Sequence, residues 1–403
     1  MLKKYFICRD CYYVLKWDEQ AIGFGKIFPI CKLFLSKNTG GFFVTSLQLF
    51  HRRHMPGGAN VPHFKNTTEC ATALLPTPSK VCIPMQQHIG APCEPVVKVG
   101  ETVKAGQLIG DSPSPVSAPI HASISGKVTA IDEILMPFGA KCTSVTITSD
   151  EENTVDETLQ PPEIKDREDF LNAIRASGLV GLGGAGFPTS VKLNPKNIQE
   201  VNTLIINGAE CEPFITSDYR EFMENADDVI EGILLVQKFL EMKEVYIGIE
   251  NNKPEAIKLM TKKLANYPEI NVVTLKSRYP QGAEKVLIYE VSGRVVPEGK
   301  LPADVGVLVM NVASIGFLNR YCKTGIPLIS KRLTIDGAAI SHHKNIRVPI
   351  GTMISDVAEY CGGYSQPVKK ILMGGPMMGT ALYTDDFPIL KQNNAILFLG
   401  EEN

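Results

Sequence analysis

Short apolar runs alternate with amphipathic segments through the middle of the chain. The runs have the length and β-branched content of buried strands, and they are VNTLIIN (201–207), EVYIGI (244–249), NVVTLKS (271–277) and GVLVMN (306–311). Helical periodicity is found between them, over residues 226–242, from Pro254 onward, and in GAEKVLIYEVSG, which closes at Gly293. This alternation predicts an α/β fold with a mostly parallel sheet.

Two other regions have β-type patterns. Residues 80–132 show short β runs separated by glycine turns, which predicts a small all-β unit. Residues 328–400 return to strands in RLTIDGAAI and NIRVPIGTMISDVAEYCGGY, followed by MGGPMMG (373–379). The glycines of MGGPMMG either line a ligand or form tight turns around a hydrophobic methionine pair, and the pattern favours the turns. The acidic, proline-containing stretch 149–169 is typical of a linker.

Composition narrows the class of protein. A chain of 403 residues with 44% hydrophobic and 21% charged residues has room for two to four globular domains. The net charge of −2 gives no sign of a nucleic-acid partner. No run of 18 apolar residues occurs, so we expect membrane association only through partner proteins. The ten cysteines show no disulfide framework, and Cys8 and Cys11, the one C-x-x-C pair, lack histidines at zinc-finger spacing, so no metal site is predicted.

The first 54 residues differ from the rest. They carry nine Lys or Arg and three Asp or Glu residues, a local charge of +6. Their apolar runs are short and interrupted, which makes a poor signal peptide. We expect residues 1–54 to be an atypical extension, such as upstream sequence read as protein.

The segment GLGGAGFPTSVK, from Gly181 to Lys192, is the most informative part of the sequence. Clustered glycines cost backbone entropy, so they usually meet a steric need. One such need is the close approach of backbone N–H groups to a phosphate, with a lysine adding charge. The alternative is a tight turn before a helix.

A second polar cluster follows the strand 201–207. Asn207, Glu210 and Glu212 lie just beyond its carboxyl end, in NGAECEP. Ligands bind at that edge of open parallel sheets. The alternative is a turn cap with two solvated glutamates. Two polar clusters flanking one strand favour a nucleotide-type site.

These motifs together carry a resemblance. GLGGAGFPTSVK, NGAECEP and TSDYR (216–220), followed by YPQGAEKVLIYEVSGR (279–294) and LPADVGVLVMNVAS (301–314), resemble the flavin site of the C subunit of the Rnf complex, an ion-translocating ferredoxin:NAD oxidoreductase. The glycine loop is also similar to that of the NADH-binding flavoprotein subunit of respiratory complex I. The resemblance covers roughly residues 55–403.

The resemblance implies a domain organisation. A barrel-sandwich domain of the lipoyl and biotinyl type would span residues 55–148, but its hairpin HASISG lacks the carrier lysine, and Lys127 does not match it. A Rossmann-like FMN/NAD domain would span 170–327, and a β-grasp domain of the soluble-ligand-binding (SLBB) type 328–403. His88 and His121 of the barrel either face the flavin or are satisfied histidines, and the second is favoured.

The resemblance also implies roles for individual residues. No catalytic acid or base is expected, because hydride transfer between nicotinamide and flavin needs positioning rather than proton transfer. The positions that match contacts to FMN are Gly181, Gly183, Lys192, Asn207, Glu210, Gly282 and Asn311. The positions that match contacts to the nicotinamide nucleotide are Gly184, Ala185, Phe187, Glu212, Tyr279 and Glu284.

Some positions depart from the complex I pattern and favour Rnf. Leu182 stands where an arginine is usual, Ala209 where an acid is, Cys211 and Phe214 where glycines are, and Ala283 where a glutamate is. The C subunits of Rnf complexes continue into a ferredoxin-like region whose cysteine runs bind [4Fe–4S] clusters. No such run occurs here, so we expect a truncation before that region and a chain that is incomplete as an enzyme.

The resemblance implies an electron-transfer protein that exchanges electrons between NAD(H) and the Rnf complex through FMN. Its expected partners are the membrane subunits of the complex and ferredoxin or an iron–sulfur protein, and its expected place is the cytoplasmic face of the membrane. Two alternatives stay open: a soluble flavoprotein of the cobalamin-reductase type, and a non-catalytic docking module like the A subunit of the sodium-pumping NADH:quinone reductase.

Overall fold

The computed structural model describes residues 57–401 and two short strands, β1 (Tyr5–Ile7) and β2 (Val14–Lys16), which pair antiparallel. The remainder of the predicted N-terminal extension, with Cys8 and Cys11, lies outside the described residues. No helix in the described part of the chain has the length and apolar character needed to cross a bilayer.

Antiparallel strands form the predicted all-β unit. After β3 (Ala73–Leu74), the chain forms β4 (Lys80–Pro84), β5 (Glu94–Pro95), β6 (Thr102–Val103), β7 (Leu108–Asp111), β8 (Ile120–His121), β9 (Gly126–Leu135) and β10 (Lys141–Ser149). They build a four-stranded sheet, β4-β10-β9-β6, and a three-stranded sheet, β5-β7-β8. Gly126, with a φ of +150°, is required because a Cβ there would lie 2.0 Å from the Thr148 carbonyl oxygen.

The middle of the chain forms the predicted α/β unit. Its elements are α1 (Arg167–Ala176), α2 (Thr189–Lys192), β11 (Thr203–Gly208), α3 (Ser217–Leu240), β12 (Glu244–Glu250), α4 (Pro254–Lys263), β13 (Ile270–Leu275), α5 (Glu284–Ser292), β14 (Val307–Asn311) and α6 (Val312–Thr324). The sheet has the order β13-β12-β11-β14 with every pair parallel, which confirms the fold class.

Strand β11 shows why its sequence is a continuous apolar run. Leu204 and Ile206 pack into one hydrophobic cluster with α3 and α6, and Ile205 packs into another with α5. Both faces of the sheet are therefore covered by helices, as parallel sheets require. Because β12 and β14 lie on opposite sides of β11, the strand order reverses at its carboxyl end, where ligands bind in such sheets.

Helix α3 is longer than predicted. The periodicity indicates a start at Ala226, whereas the helix begins at Ser217 and bends at Asn225 (φ −130°, ψ 31°). The first turns were missed because their buried positions include Ser217, Asp218 and Glu221, which are polar. The Asp218 carboxylate accepts from Asn311, and the Glu221 carboxylate pairs with two arginines, so neither enters an apolar core.

The last segment forms a mixed sheet with one helix, as the SLBB-type prediction implies. Its elements are β15 (Ser330–Asp336), β16 (Lys344–Pro349), α7 (Ile354–Tyr360), β17 (Lys370–Met373), β18 (Thr380–Leu382) and β19 (Ala395–Leu399). The strand order is β18-β17-β19-β15-β16-β3. Strand β3 thus pairs with β16, although it lies in the stretch that the sequence assigns to the barrel sandwich.

Candidate functional site

A cleft of about 570 Å³ opens at the carboxyl ends of β11 and β14. Asn207 and Asn311 are paired neighbours there, because they are register partners at the ends of these two strands. The predicted site residues that line the cleft are Gly181, Gly183, Ala185, Lys192, Asn207, Glu210, Glu212, Tyr279, Gly282, Glu284 and Asn311. Gly184 and Phe187 are not among its lining residues.

The glycine loop presents unused backbone donors. Its base is closed by hydrogen bonds between Gly181 N and Phe187 O (2.8 Å) and between Gly186 N and Gly181 O (3.2 Å). Gly183, Gly184 and Ala185 are exposed, and their amides donate no hydrogen bond to any described residue. Such a group of amides is suited to an anion.

The loop is anchored from behind through Leu182. Its amide donates to Ser314 Oγ (3.0 Å), and its carbonyl oxygen accepts from Lys331 Nζ (2.8 Å). Burial lowers the pKa of Lys331 to about 8. At the position where the complex I subunit usually has an arginine, this chain therefore has the buried Leu182, whose carbonyl oxygen accepts from Lys331.

Lys192 and Glu284 form an ion pair at the cleft. Lys192 ends the short helix α2, and Glu284 begins α5. The resemblance assigns Lys192 to FMN and Glu284 to the nicotinamide nucleotide. In the structure the Glu284 carboxylate partly neutralises the Lys192 ammonium. An anion that binds at Lys192 must share or displace this partner.

Asn207 joins two loops of the site. Its Nδ2 donates to the Gly282 carbonyl oxygen (2.9 Å), and its Oδ1 accepts from Ala209 N (3.1 Å). A Cβ on Gly282 would lie 2.5 Å from the Ala209 carbonyl oxygen, so the two loops touch only because residue 282 is glycine.

Glu210 is buried beneath the cleft. Its Oε1 accepts from the amide of Asp218 (2.7 Å) in the first turn of α3, and its Oε2 has no hydrogen-bond partner among the described residues. Burial raises the pKa of Glu210 to about 7, against the opposing effect of Lys65. A buried carboxyl oxygen with no protein partner is available to a ligand.

Lys65 holds the loop that carries both glutamates. Its Nζ donates to the carbonyl oxygens of Glu210 (2.8 Å), Glu212 (2.8 Å) and Ile215. Burial lowers its pKa to about 8. Sequence reasoning missed Lys65, because it lies 145 residues upstream of Glu210 in a stretch without a local motif.

An aromatic pair reinforces this contact. Phe64 stacks on Phe214 with 5.1 Å between the ring centroids. Phe214 has a φ of +70°, a region that favours the glycine expected there from the resemblance. Phe64 also has a positive φ, +45°, so both rings of the stack belong to residues in this uncommon region.

Glu212 connects the cleft to the SLBB sheet. Its Oε2 accepts from Met377 N (2.9 Å), its Oε1 is buried without a partner in the described structure, and burial raises its pKa. Met378, which follows, lines the cleft and is 79% exposed. The loop forms a turn, as predicted, with Gly379 N donating to the Gly375 carbonyl oxygen (2.8 Å), and its glycines are not among the residues that line the cleft.

Asn311 caps helix α6. Its Oδ1 accepts from the amides of Ala313 (2.9 Å) and Ser314 (3.4 Å), and its Nδ2 donates to Asp218 Oδ2 (2.7 Å). Burial raises the pKa of Asp218. Asp218 lines the cleft and was not selected from the sequence, although it lies within the TSDYR motif.

The two barrel histidines do not line the cleft. His88 is buried, and its Nε2 accepts from Ala118 N (3.1 Å), as a satisfied histidine does. His121 is buried, and burial lowers its pKa to about 3. Asn394 of the SLBB segment does line the cleft, and no sequence signal identified it.

Comparison with known proteins agrees with this arrangement. Residues 53–152 match the family described as the RnfC barrel sandwich hybrid domain, residues 174–319 the Nuo51 FMN-binding domain, and residues 332–381 the SLBB domain.

Relatives that match along most of the chain decide the family. The chain is 45% identical over 343 residues to the C subunit of the proton-translocating ferredoxin:NAD(+) oxidoreductase complex of Clostridium ljungdahlii, covering 84% of this chain and 75% of that protein. It is 41% identical over 351 residues to the C subunit of the Na(+)-translocating complex of Acetobacterium woodii, covering 86% and 79%. The chain belongs to the RnfC family. These relatives favour Rnf over the cobalamin-reductase and docking-module alternatives.

Two further proteins match this RnfC-family chain over a smaller share of their own length. The C subunit of the ion-translocating oxidoreductase complex of Rhodobacter capsulatus is 39% identical over 344 residues, with 84% of this chain and 66% of that protein covered. An NAD+-reducing [NiFe]-hydrogenase in the H2-reduced state superposes with a TM-score of 0.47 at 17% identity, covering 59% of this chain and 47% of that one.

In the described part of the chain, no group of three or more His, Cys, Asp or Glu residues is placed to hold a metal ion.

Proposed function

We propose that this RnfC-family chain exchanges electrons between NAD(H) and its complex through FMN bound in the cleft. The observation that carries the proposal is the set of unpaired amides at Gly183, Gly184 and Ala185, beside Lys192, at the reversal point of the parallel sheet. The match to the FMN-binding domain family over residues 174–319 supports the choice of FMN.

The residues present fit a flavin mononucleotide. The three amides and the Lys192 ammonium would hold the phosphate. Asn207, Glu210 and Asn311 also line the cleft, and the free Oε2 of Glu210 is an acceptor for polar groups of the flavin. The cleft, about 570 Å³, lies within the range of cofactor sites.

The nicotinamide nucleotide would share the same cleft. Glu212, Tyr279 and Glu284 line it, and the carboxylates can accept hydrogen bonds from ribose or carboxamide groups. Bound FMN would accept a hydride equivalent and release electrons singly. The protein's part is to align the two rings and to exclude water.

The partners follow from the proposed chemistry. Electrons that leave singly need a one-electron acceptor, and we assign that role to ferredoxin or to [4Fe–4S] centres in a partner or in a ferredoxin-like region. Because the relatives belong to ion-translocating complexes, we place the chain at the cytoplasmic face of the membrane, held by the membrane subunits.

The test is flavin binding followed by anaerobic reduction. The full-length chain is titrated with FMN while flavin fluorescence is recorded, and NADH is then added while the visible flavin absorbance is followed. We expect bound flavin that bleaches with NADH. Binding without bleaching removes the nicotinamide assignment, and failure to bind FMN favours a docking role.

A further inference from the structure

A second, much smaller cavity lies behind the glycine loop. It holds about 20 Å³, enough for one particle the size of a water molecule. Helices α3 and α6 form one side, and strands β15 and β16 of the SLBB sheet form the other. Its lining includes Leu182 of the glycine loop, Ser217 and Glu221 of α3, and four cationic side chains.

The lining carries an excess of positive charge. Arg320 and Arg332 both pair with the carboxylate of Glu221, the acidic residue of the lining. Their other carboxylate partners, Asp228 for Arg320 and Glu224 for Arg332, lie outside it. Lys331, the fourth cation, donates its hydrogen bond to the neutral Leu182 carbonyl oxygen.

Arg347 lines the cavity, and its guanidinium makes no ion pair or hydrogen bond with any described residue. Burial, together with Arg332 and Arg320, lowers the pKa of its guanidinium to about 10. Glu221 and Glu224 oppose that effect, but both carboxylates are already paired with Arg332. An arginine stays charged in a protein, so the half-buried Arg347 is left without a counter-charge of its own.

Ser217 supplies an independent polar group. It is only 4% exposed, it lies in the first turn of the 24-residue helix α3, and its Oγ has no hydrogen-bond partner in the described structure. A hydroxyl donor at the positive end of a long helix favours an anion.

We propose that this cavity binds a small monovalent anion such as chloride, held by the Arg347 guanidinium and the Ser217 hydroxyl. The ion offsets the excess charge between the two domains and fits the volume of the cavity. Lys331 and Leu182 line the same cavity and anchor the glycine loop, so the ion stabilises that loop from behind. The site is separate from the cleft and does not depend on the flavin assignment.

Bromide locates the ion directly. Crystals of the full-length chain grown in sodium bromide are expected to show an anomalous peak in the cavity, in contact with Arg347. The peak should be absent in R347Q and retained in R175Q, a control that removes the same charge from a pair with Asp111 elsewhere. Water alone in the cavity of the wild-type protein overturns the proposal.

Thermal unfolding measures the same binding in solution. Sodium bromide and sodium gluconate are compared at equal ionic strength, since gluconate is too large for the cavity. We expect bromide to raise the midpoint of the wild type and of R175Q by a few degrees relative to R347Q, which reports the general salt effect. If R347Q does not fold, a midpoint equal in both salts for the wild type still contradicts the proposal.

Discussion

At the scale of single residues, the charged groups of the cleft are arranged in opposing pairs. Lys192 contacts Glu284, and Glu210 lies beside Lys65 and the amide of Asp218. A ligand therefore enters a site in which Lys192 is already paired, whereas Glu210 Oε2 and Glu212 Oε1 have no hydrogen-bond partner among the described residues. The effect of a mutation depends on what happens to the partner that is left.

Mutations of Lys192 and of Glu284 are predicted to change the affinity for FMN in opposite directions. Lys192→Ala removes a charged donor to phosphate and should weaken FMN binding by roughly tenfold, because such a hydrogen bond contributes about 1.5–3 kcal/mol and the site is partly exposed. Glu284→Gln frees the ammonium and should tighten it by about two- to fivefold. Fluorescence titration measures both, with the exposed neighbour Lys196→Ala as control. Equal affinities in all four proteins would remove the phosphate role.

The raised pKa of Glu210 makes stability depend on pH. With a pKa of about 7 in the folded protein and 4.5 in the unfolded chain, the native state holds the proton between these values, and the wild type loses stability as pH rises through that window. Glu210→Gln lacks this loss and can still accept from Asp218. Its stability relative to the wild type should rise by roughly 1–3 kcal/mol over that window.

Urea unfolding at a series of pH values measures that difference. Lys65 has a pKa of about 8 that Glu210 raises, so the variant also changes the titration of Lys65, and the comparison is read only between about pH 4.5 and 7. A difference that stays constant from acidic to neutral pH would show that the carboxyl group is ionised throughout.

At the scale of elements, the strands and loops of the site were predictable because local chemistry determines them. Strand β11 is an apolar run, and Gly293, with a φ of +72°, ends α5 where the glycine signal places it. The start of α3 was not predictable, because its first turns bury Asp218, which is paired with Asn311, and Glu221, which is paired with two arginines. Periodicity records apolar burial only.

The conformation of the glycine loop can be tested with one methyl group. Gly184 has a φ of +119°, and a Cβ there would meet no atom within 4 Å, so Gly184→Ala strains the backbone without a clash. We expect a loss of stability of about 1–2 kcal/mol and FMN affinity weakened by at least roughly tenfold, because the amides are turned away from the phosphate.

Gly299→Ala is the matched control for that variant. Gly299 also has a positive φ, +71°, and open space around its Cβ position. It should lose similar stability and keep its FMN affinity, measured by the same titration. Unchanged affinity in Gly184→Ala would mean that the loop is only a turn.

At the scale of the whole molecule, the site depends on contacts between distant parts of the sequence. Lys65 comes from the segment before β3, and Met378 and Asn394 come from the SLBB sheet. None of these residues lies in a local sequence motif that identifies it, because each reaches the site only through contacts between distant segments of the chain. The resemblance identified most residues on β11, β14 and their loops, whereas the packing of neighbouring domains supplied the rest.

Lys391 stands at the junction of three domains. It is 1% exposed in the SLBB segment, and its Nζ donates to the carbonyl oxygens of Pro119 (2.6 Å) in the barrel and Gly178 (2.7 Å) in the α/β unit. Burial lowers its pKa to about 7. A neutral amine has two N–H donors, which matches the two carbonyl acceptors, so no carboxylate is needed at this junction.

The lowered pKa of Lys391 predicts a free energy of unfolding that increases with pH. Between about pH 7 and the unfolded value of 10.5, the unfolded chain holds the lysine proton and the native state does not, so stability rises over that window. Lys391→Met removes this dependence. The wild type should gain roughly 1–3 kcal/mol over the variant between about pH 7 and 9 in urea unfolding. His121 and Cys93 nearby, with pKa values of about 3 and about 11, keep one protonation state there. Parallel curves for the two proteins would mean that the amine stays charged in the native junction.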